Sequence, residues 1–261
     1  MKIKEVIDAL ERFAPLPLQE DFDNAGLQVG LTEADMSGAL LCLDVTEAVV
    51  DEAVRLGCNM IVAHHPLIFH RLARVTDATY VERCVMKAIR AGVTIVAMHT
   101  NLDNARGGVN FKIAEKMGLE DVDFFVRKEG MPAECGSGVM GTFSKPMCSC
   151  EFFEMLKLRF GAECVMANEP LERHIRRVAI CGGAGAFLLD DAVRAGADAF
   201  VTGEMHYHEF FGHEQQIQIA VIGHYESEQF TSEVLRDIIV QEFPEAKCFI
   251  SRTYTNPIRY V

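Results

Sequence analysis

The 261-residue chain has no apolar run long enough to cross a membrane: stretches such as 38–43 and 60–63 meet a charge or a histidine well short of the requirement, which is about 18 residues. No cleavable leader is expected either, because acidic residues interrupt the opening Met1-Lys2-Ile3-Lys4-Glu5-Val6-Ile7-Asp8, which reads as an amphipathic helix. Basic residues are scarce. Lys plus Arg number 25 against 38 Asp plus Glu, a formal charge of −13. That field repels polyanions and disfavours direct nucleic-acid binding of the usual basic kind. Also missing are the G-x-x-x-x-G-K-[ST] phosphate loop, the G-x-S-x-G nucleophile elbow and any C-x-x-C pair. Residues Gly136 to Gly141 do spell G-x-G-x-x-G, but Thr142-Phe143-Ser144-Lys145-Pro146 follows, so no helix opens there and no dinucleotide site is assigned.

What is present describes a globular chain of one or two domains, with 49% hydrophobic and 24% charged residues. Nine cysteines form an odd, scattered set, several inside apolar strand-like runs where a free thiol acts as a small hydrophobe. A soluble protein of a reducing compartment, the cytoplasm, is the expectation. Cys148-Ser149-Cys150 has the wrong spacing for a zinc knuckle and reads as the start of a helix.

Sliding the sequence over itself exposes an internal repeat. At an offset of 139, residues 38–65 lie ungapped on 177–204 with identities at Cys42/Cys181, Asp51/Asp190, Ala53/Ala192, Val54/Val193, Arg55/Arg194, Gly57/Gly196 and Val62/Val201. About two would arise by chance. Each copy reads as an apolar strand (Ala39 to Leu43; Val178 to Cys181), a helix ending at Gly57 or Gly196, and a second strand (Met60 to Ala63; Ala199 to Thr202). Such units predict an α/β fold: duplicated strand-helix-strand units forming mainly parallel or mixed sheets covered by helices. A third strand follows in each half, Val93 to Met98 and Gln218 to Gly223, aligned through His99 and His224 at an offset of 125. The expected organisation is an N-terminal α/β half (1–120), a small central β-plus-helix insertion (121–175) and a C-terminal α/β half (176–261), the halves sharing one metal site.

Unusual polar residues concentrate in five segments: Asp21 to Gln28, His64-His65-Pro66, His99 to Asp103, Gly203 to Glu209 and His224 to Glu228. Two of these place an imidazole at i and a carboxylate at i+4, just beyond the carboxyl end of a strand, where open α/β sheets bind ligands. Adjacent histidines in a regular strand point opposite ways, so a shared site requires the backbone to turn, as Pro66 permits, or two neighbouring ions. Each piece alone has a plainer reading. His64-His65 is a hydrogen-bonded turn, Asp103 and Asn104 are capping residues, and Glu228 lies on the solvated face of a helix over 226–242. Their combination at strand ends favours metal ligation. Imidazole with carboxylate suits Zn, Fe, Mn, Co or Ni better than Mg or Ca. The Cys181-Gly182-Gly183-Ala184-Gly185 turn offers either amides for an anion or tight strand-helix packing.

With those segments identified, the chain resembles the Nif-three-like family, whose members carry the name GTP cyclohydrolase I type 2 homologue. The resemblance spans nearly the whole chain. It rests on Asp23 to Gly30, Ala63-His64-His65-Pro66-Leu67, His99-Thr100-Asn101-Leu102-Asp103, Thr202-Gly203-Glu204 with Tyr207-His208, and Gly223-His224 with Glu228. It implies two divalent transition-metal ions per chain, held by His64, His65, Asp103, His224 and Glu228, with Glu228 bridging them. It implies also a toroidal homohexamer built from dimers. Two departures are Glu204, where the family often has Asp, and Tyr225, where a second histidine is common.

These readings lead to a metal-dependent hydrolase acting on a small molecule, with a nucleotide as one candidate substrate. His99, His208 and Glu204 are the candidate proton-transfer groups, with orientation of Asp103 as the other reading of His99. The competing expectation is a metal-binding toroidal scaffold or regulatory adaptor without turnover.

Overall fold

The computed structural model describes residues 1–127 and 135–261. In chain order the elements are helix α1 (Ile3–Phe13), strands β1 (Gly26–Val29) and β2 (Ala39–Cys42), helix α2 (Glu47–Arg55), strand β3 (Met60–Ala63), helix α3 (Tyr80–Ala91), strand β4 (Thr94–Ala97), the short helix α4 (Thr100–Asp103) and helix α5 (Val109–Met117). Then follow β5 (Glu120–Val126), β6 (Ser137–Met147), α6 (Ser149–Phe160), β7 (Met166–Ala167), β8 (Ile175–Cys181), α7 (Leu189–Arg194), β9 (Ala199–Thr202), β10 (Gln218–Val221), α8 (His224–Glu228), α9 (Thr231–Glu242) and β11 (Cys248–Ile250). No helix among the described residues is long and apolar enough to cross a membrane.

The chain forms two compact units, one of Met1–Ala105 with Thr231–Ile258, the other of Arg106–Phe230 with Arg259–Val261. In the first, the sheet runs β1-β4-β3-β2-β11, parallel except for β1. Every residue of β2, β3 and β4 is buried, the pattern of a parallel strand covered on both faces. Helices α2 and α3 cover one face, where Val49, Val50, Ala53, Cys84 and Val85 pack on Leu40, Ile61 and Ile95. Thr46 and Thr79 cap these helices by accepting from Val49 N and Glu82 N, and Gly92, left-handed at φ 66°, ends α3. Helix α9 packs on α1 and touches β2 and β11. By strand alternation it lies on the opposite face. Cutting the fully buried Ile61 back to alanine costs about 2–5 kcal/mol in a core of this kind.

The second unit holds a mixed sheet in the order β5-β6-β8-β9-β10-β7. Strands β8, β9 and β10 are parallel, while β6 runs antiparallel to both β5 and β8. Ala179, Leu188, Leu189, Ala192, Phe200, Ile217, Ile219 and Val221 form one cluster of its core.

The repeat is written into the pairing. Ala39 opposite Met60 through Cys42 opposite Ala63 in the first sheet becomes Val178 opposite Ala199 through Cys181 opposite Thr202 in the second, each residue moved by the same 139 positions found in the sequence. The third strands correct the expected offset. Thr94 and Gln218 occupy equivalent register positions, opposite Met60 and Ala199, so the third strands correspond one residue away from the alignment through His99 and His224. His99 therefore caps α4 from outside, whereas His224 is the first residue of α8.

Other boundaries also differ. The expected divisions after 120 and 175 do not coincide with the two units. β6 of the central segment, part of which lies outside the described residues, is an interior strand of the second sheet, and α9 with β11 returns to the first. The helix expected over 226–242 is two helices, α8 and α9, because the chain leaves one unit for the other at 230/231. The glycine-rich 136–141 stretch runs into β6 and pairs with β5 and β8.

Candidate metal centre

In the first unit, β3 ends at Ala63 and the next two residues bond to the end of β2, His64 N–H to Cys42 O at 3.1 Å and His65 N–H to Leu43 O at 2.9 Å. The backbone bends at His64 and His65, just before Pro66. Instead of pointing apart, the two rings lie 4.9 Å between centroids, tilted by 44°. His99, just past β4, stands edge-on to both at 5.3 and 5.5 Å. One ligand atom from each of the three imidazoles falls within 4.8 Å of the others.

Each of these rings is held through Nδ1. His64 Nδ1 donates to the Met98 carbonyl at 2.8 Å, His65 Nδ1 to Asp44 Oδ1 at 2.7 Å, and His99 Nδ1 to Asp23 Oδ1 at 2.7 Å. A carbonyl or a carboxylate only accepts, so the proton of the neutral ring sits on Nδ1 and the lone pair on Nε2. This is the arrangement that prepares imidazole to ligate a metal. His64 is fully buried, with Nε2 directed at Asp103 Oδ1, 3.8 Å away. Asp44 is held in turn by Thr255 Oγ1 at 2.7 Å. Asp23 has an inaccessible side chain. Burial pushes its carboxyl up, but hydrogen bonds from His99 and Thr100, attraction to the His99 ring and the Asn24 N–H outweigh that and bring it down to about 2.

The second unit presents a matching fragment at the carboxyl ends of β8, β9 and β10. His224 Nδ1 lies 2.9 Å from Glu204 Oε1, and His224 Nε2 lies 3.0 Å from Glu228 Oε2, one helical turn along α8. Glu228 is buried, its side chain 5% exposed, contrary to the solvated face expected for it in isolation. Glycine makes room for it. Gly183 has φ +57°, and a Cβ there would collide with Glu228 Oε1; a Cβ on Gly203 would come within 2.9 Å of His224 Cα. The amides of Gly182, Gly183 and Gly185 are taken by Asn110 Oδ1, Ser227 Oγ and Thr202 Oγ1, so this turn serves packing and does not hold an anion.

The donor set fits a borderline transition metal: imidazole nitrogens with fixed tautomers, and carboxylates whose burial is costly without a cation. The structure brings His64, His65 and Asp103 together in one unit and His224 and Glu228 in the other. The proton-transfer candidates separate. His99 joins His64 and His65, with its ring on Asp23; Glu204 holds His224; and His208 is exposed on the 207–210 turn, its ring against Tyr207 and Phe211. Asp44 and Thr255 were missed by sequence reasoning, while Asp23 and Gly183 fell within segments it quoted without being given these roles. A signal existed for Asp44, an acid two residues after β2.

Mixed α/β sheets with imidazole and carboxylate clusters at strand ends define this chain as a candidate metal-binding protein. Comparison with known proteins makes that specific: residues 1–257 match the family model Duf34/NIF3 (NGG1p interacting factor 3), and the chain belongs to that family. A relative from Clostridium perfringens, named GTP cyclohydrolase 1 type 2 homolog, is 33% identical over 229 residues, 87% of each chain. Among solved structures, a hypothetical protein of Staphylococcus aureus is 27% identical with TM-score 0.93, covering 100% of this chain and 99% of that one. A Bacillus cereus protein related to NIF3 shares the fold at TM-score 0.88 and 24% identity, covering 100% of this chain and 99% of that one.

Proposed function

We propose that this protein is a metal-dependent hydrolase whose centre takes two divalent transition-metal ions, which His64, His65, Asp103, His224 and Glu228 would hold. The observation that carries this reading is the fixed state of the imidazoles: His64 and His65 are locked at Nδ1 by acceptor-only groups, so Nε2 is a ligand atom before any ion arrives. Ions so held would acidify water at neutral pH and polarise a carbonyl, amidine or phosphoryl group.

His99 carries the proton in this scheme. Asp23 fixes its Nδ1 and leaves Nε2 beside the other two rings, free to pass a proton to or from a bound molecule. Glu204 acts by orienting His224. The relative's printed name makes a guanine nucleotide the first substrate to try, its imidazole ring opened by hydrolysis with release of formate. We place the protein in the cytoplasm as a homohexamer.

The test is elemental analysis of protein purified without chelator or nickel affinity, together with the His64→Ala and Glu228→Ala variants. Close to two transition-metal equivalents per chain, reduced in each variant, is the expected result. Absence of metal after reconstitution with Zn, Mn, Fe, Co and Ni would sink the proposal.

A further inference from the structure

A second feature of the first unit lies away from the histidines, along the outer edge of its sheet. Strand β11 pairs with β2 on one side, and no strand lies beyond it among the described residues. The Lys247 carbonyl and the Ser251 N–H bond to Ala39 N and Leu41 O of β2 at 2.9 and 2.8 Å. Alternation along a parallel ladder therefore turns the main-chain groups of Cys248 and Ile250 outward. Beside this edge runs a cleft of about 650 Å³ lined by Arg55 and Leu56 at the end of α2, Arg236 of α9, and residues 248–252. The cleft wraps the edge from one face to the other, because α2 and α9 cover opposite faces.

Its chemistry contrasts with the rest of the molecule. In a chain of net charge −13, three arginines line this one groove, and the only carboxylate among its lining residues, Glu52, is already committed to Ser251 Oγ, Arg252 N–H and Thr253 Oγ1. Arg55 and Arg252 make no side-chain hydrogen bond or ion pair among the described residues. Arg236 reaches only its neighbour Asp237, at 2.9 Å, in a half-exposed pair that an incoming carboxylate can exchange with at little cost. Between the arginines, Leu56, Phe249 and Ile250 are each more than a third exposed.

We propose that this edge receives an extended acidic peptide of a partner protein, added as a sixth strand beside β11. Main-chain bonds to Cys248 and Ile250 give the alignment, alternate apolar side chains sit on Leu56, Phe249 and Ile250, and carboxylates meet Arg55, Arg236 and Arg252. A second copy of this chain is the poorer occupant, since a two-fold axis perpendicular to β11, the one that pairs two such edges, would bring the arginine-lined grooves of both copies to the same seam.

The probe is a fluorescein-labelled six-residue peptide of alternating glutamate and valine, titrated by the full-length protein and read by fluorescence polarisation. Saturable binding is expected, weakened about tenfold or more by roughly 0.5 M salt, and weakened at least as much by the Arg55→Glu, Arg252→Glu double variant. Both side chains are exposed, so that variant keeps the parent's circular dichroism and metal content; the milder Arg55→Gln, Arg252→Gln pair moves affinity in the same direction. A lysine-valine peptide, and the acidic peptide with N-methylated valines, should fail to bind. Equal binding by either control, insensitivity to salt, or no binding at millimolar protein overturns the proposal. So does a self-association, seen in sedimentation equilibrium, that the glutamate variant abolishes.

Discussion

Replacing Asp23 by asparagine removes one charge from a side chain with no solvent exposure while keeping its shape, and the structure sets both the size and the pH course of the effect. Asp23 accepts from His99 Nδ1 at 2.7 Å, from Thr100 N at 3.1 Å and from Thr100 Oγ1. Its carboxyl titrates at about 2 instead of the ordinary 3.8. A depressed acid favours the folded state wherever the unfolded chain would still bind the proton more tightly. The contribution is therefore complete above the unfolded value, near 4, and drains away as pH falls toward 2. At about 1.4 kcal/mol per unit it amounts to about 2 kcal/mol at neutral pH, with about half remaining at pH 3. Asp23→Asn should thus lower stability by up to about 2 kcal/mol at pH 7 and progressively less in acid. The chain has no tryptophan, so urea unfolding is best followed by far-ultraviolet circular dichroism, with chelator present to remove metal linkage. Other acids titrate alike in parent and variant and cancel in the difference. Hydrogen exchange of the peptide over 98–105 reads the same loss locally. A parent-minus-variant difference that stays constant from pH 7 to pH 3 would refute the reasoning.

Three further perturbations probe other parts of the structure. Gly183→Ala forces a Cβ onto Glu228 Oε1 at φ +57°; it should cost about 1–3 kcal/mol and lower metal content, and a metal-replete variant with the parent's stability would contradict the role given to that glycine. Glu52→Gln addresses the clamp on the segment after β11. Burial pushes the Glu52 carboxyl up, but bonds from Ser251, Arg252 and Thr253 hold it below its ordinary 4.5, so the variant should lose about 1–3 kcal/mol at neutral pH, a difference that holds down to that value and shrinks only as pH falls below it. Asp44→Asn, and more mildly Thr255→Val, should weaken metal binding about 10–100-fold in chelator competition by freeing the His65 ring, without loss of helix content; unchanged affinity would show that the Asp44 contact does not set His65.

What the sequence revealed and what it hid divide along a physical line. Runs such as Met60 to Ala63, buried at every residue, are legible because a strand covered on both faces needs uninterrupted apolar side chains. Helix stops at Gly57 and Gly196 are legible because their left-handed φ values, 71° and 74°, favour glycine. The histidines were legible as a set because unlike residues at equivalent strand ends stand out against a repeat. Which atom each ring holds was not. His99 faces Asp23, 76 residues away, and not Asp103 four residues on; it stands two residues beyond β4 where His224 stands three beyond β10, and nothing local encodes which distant segment a strand end meets. Thr255 reaches Asp44 across 211 residues only because β11 returns to lie beside β2. Side chains that ligate are chemically conspicuous; those that aim them are ordinary acids and threonines, made distinctive only by the sheet that carries them to the same place.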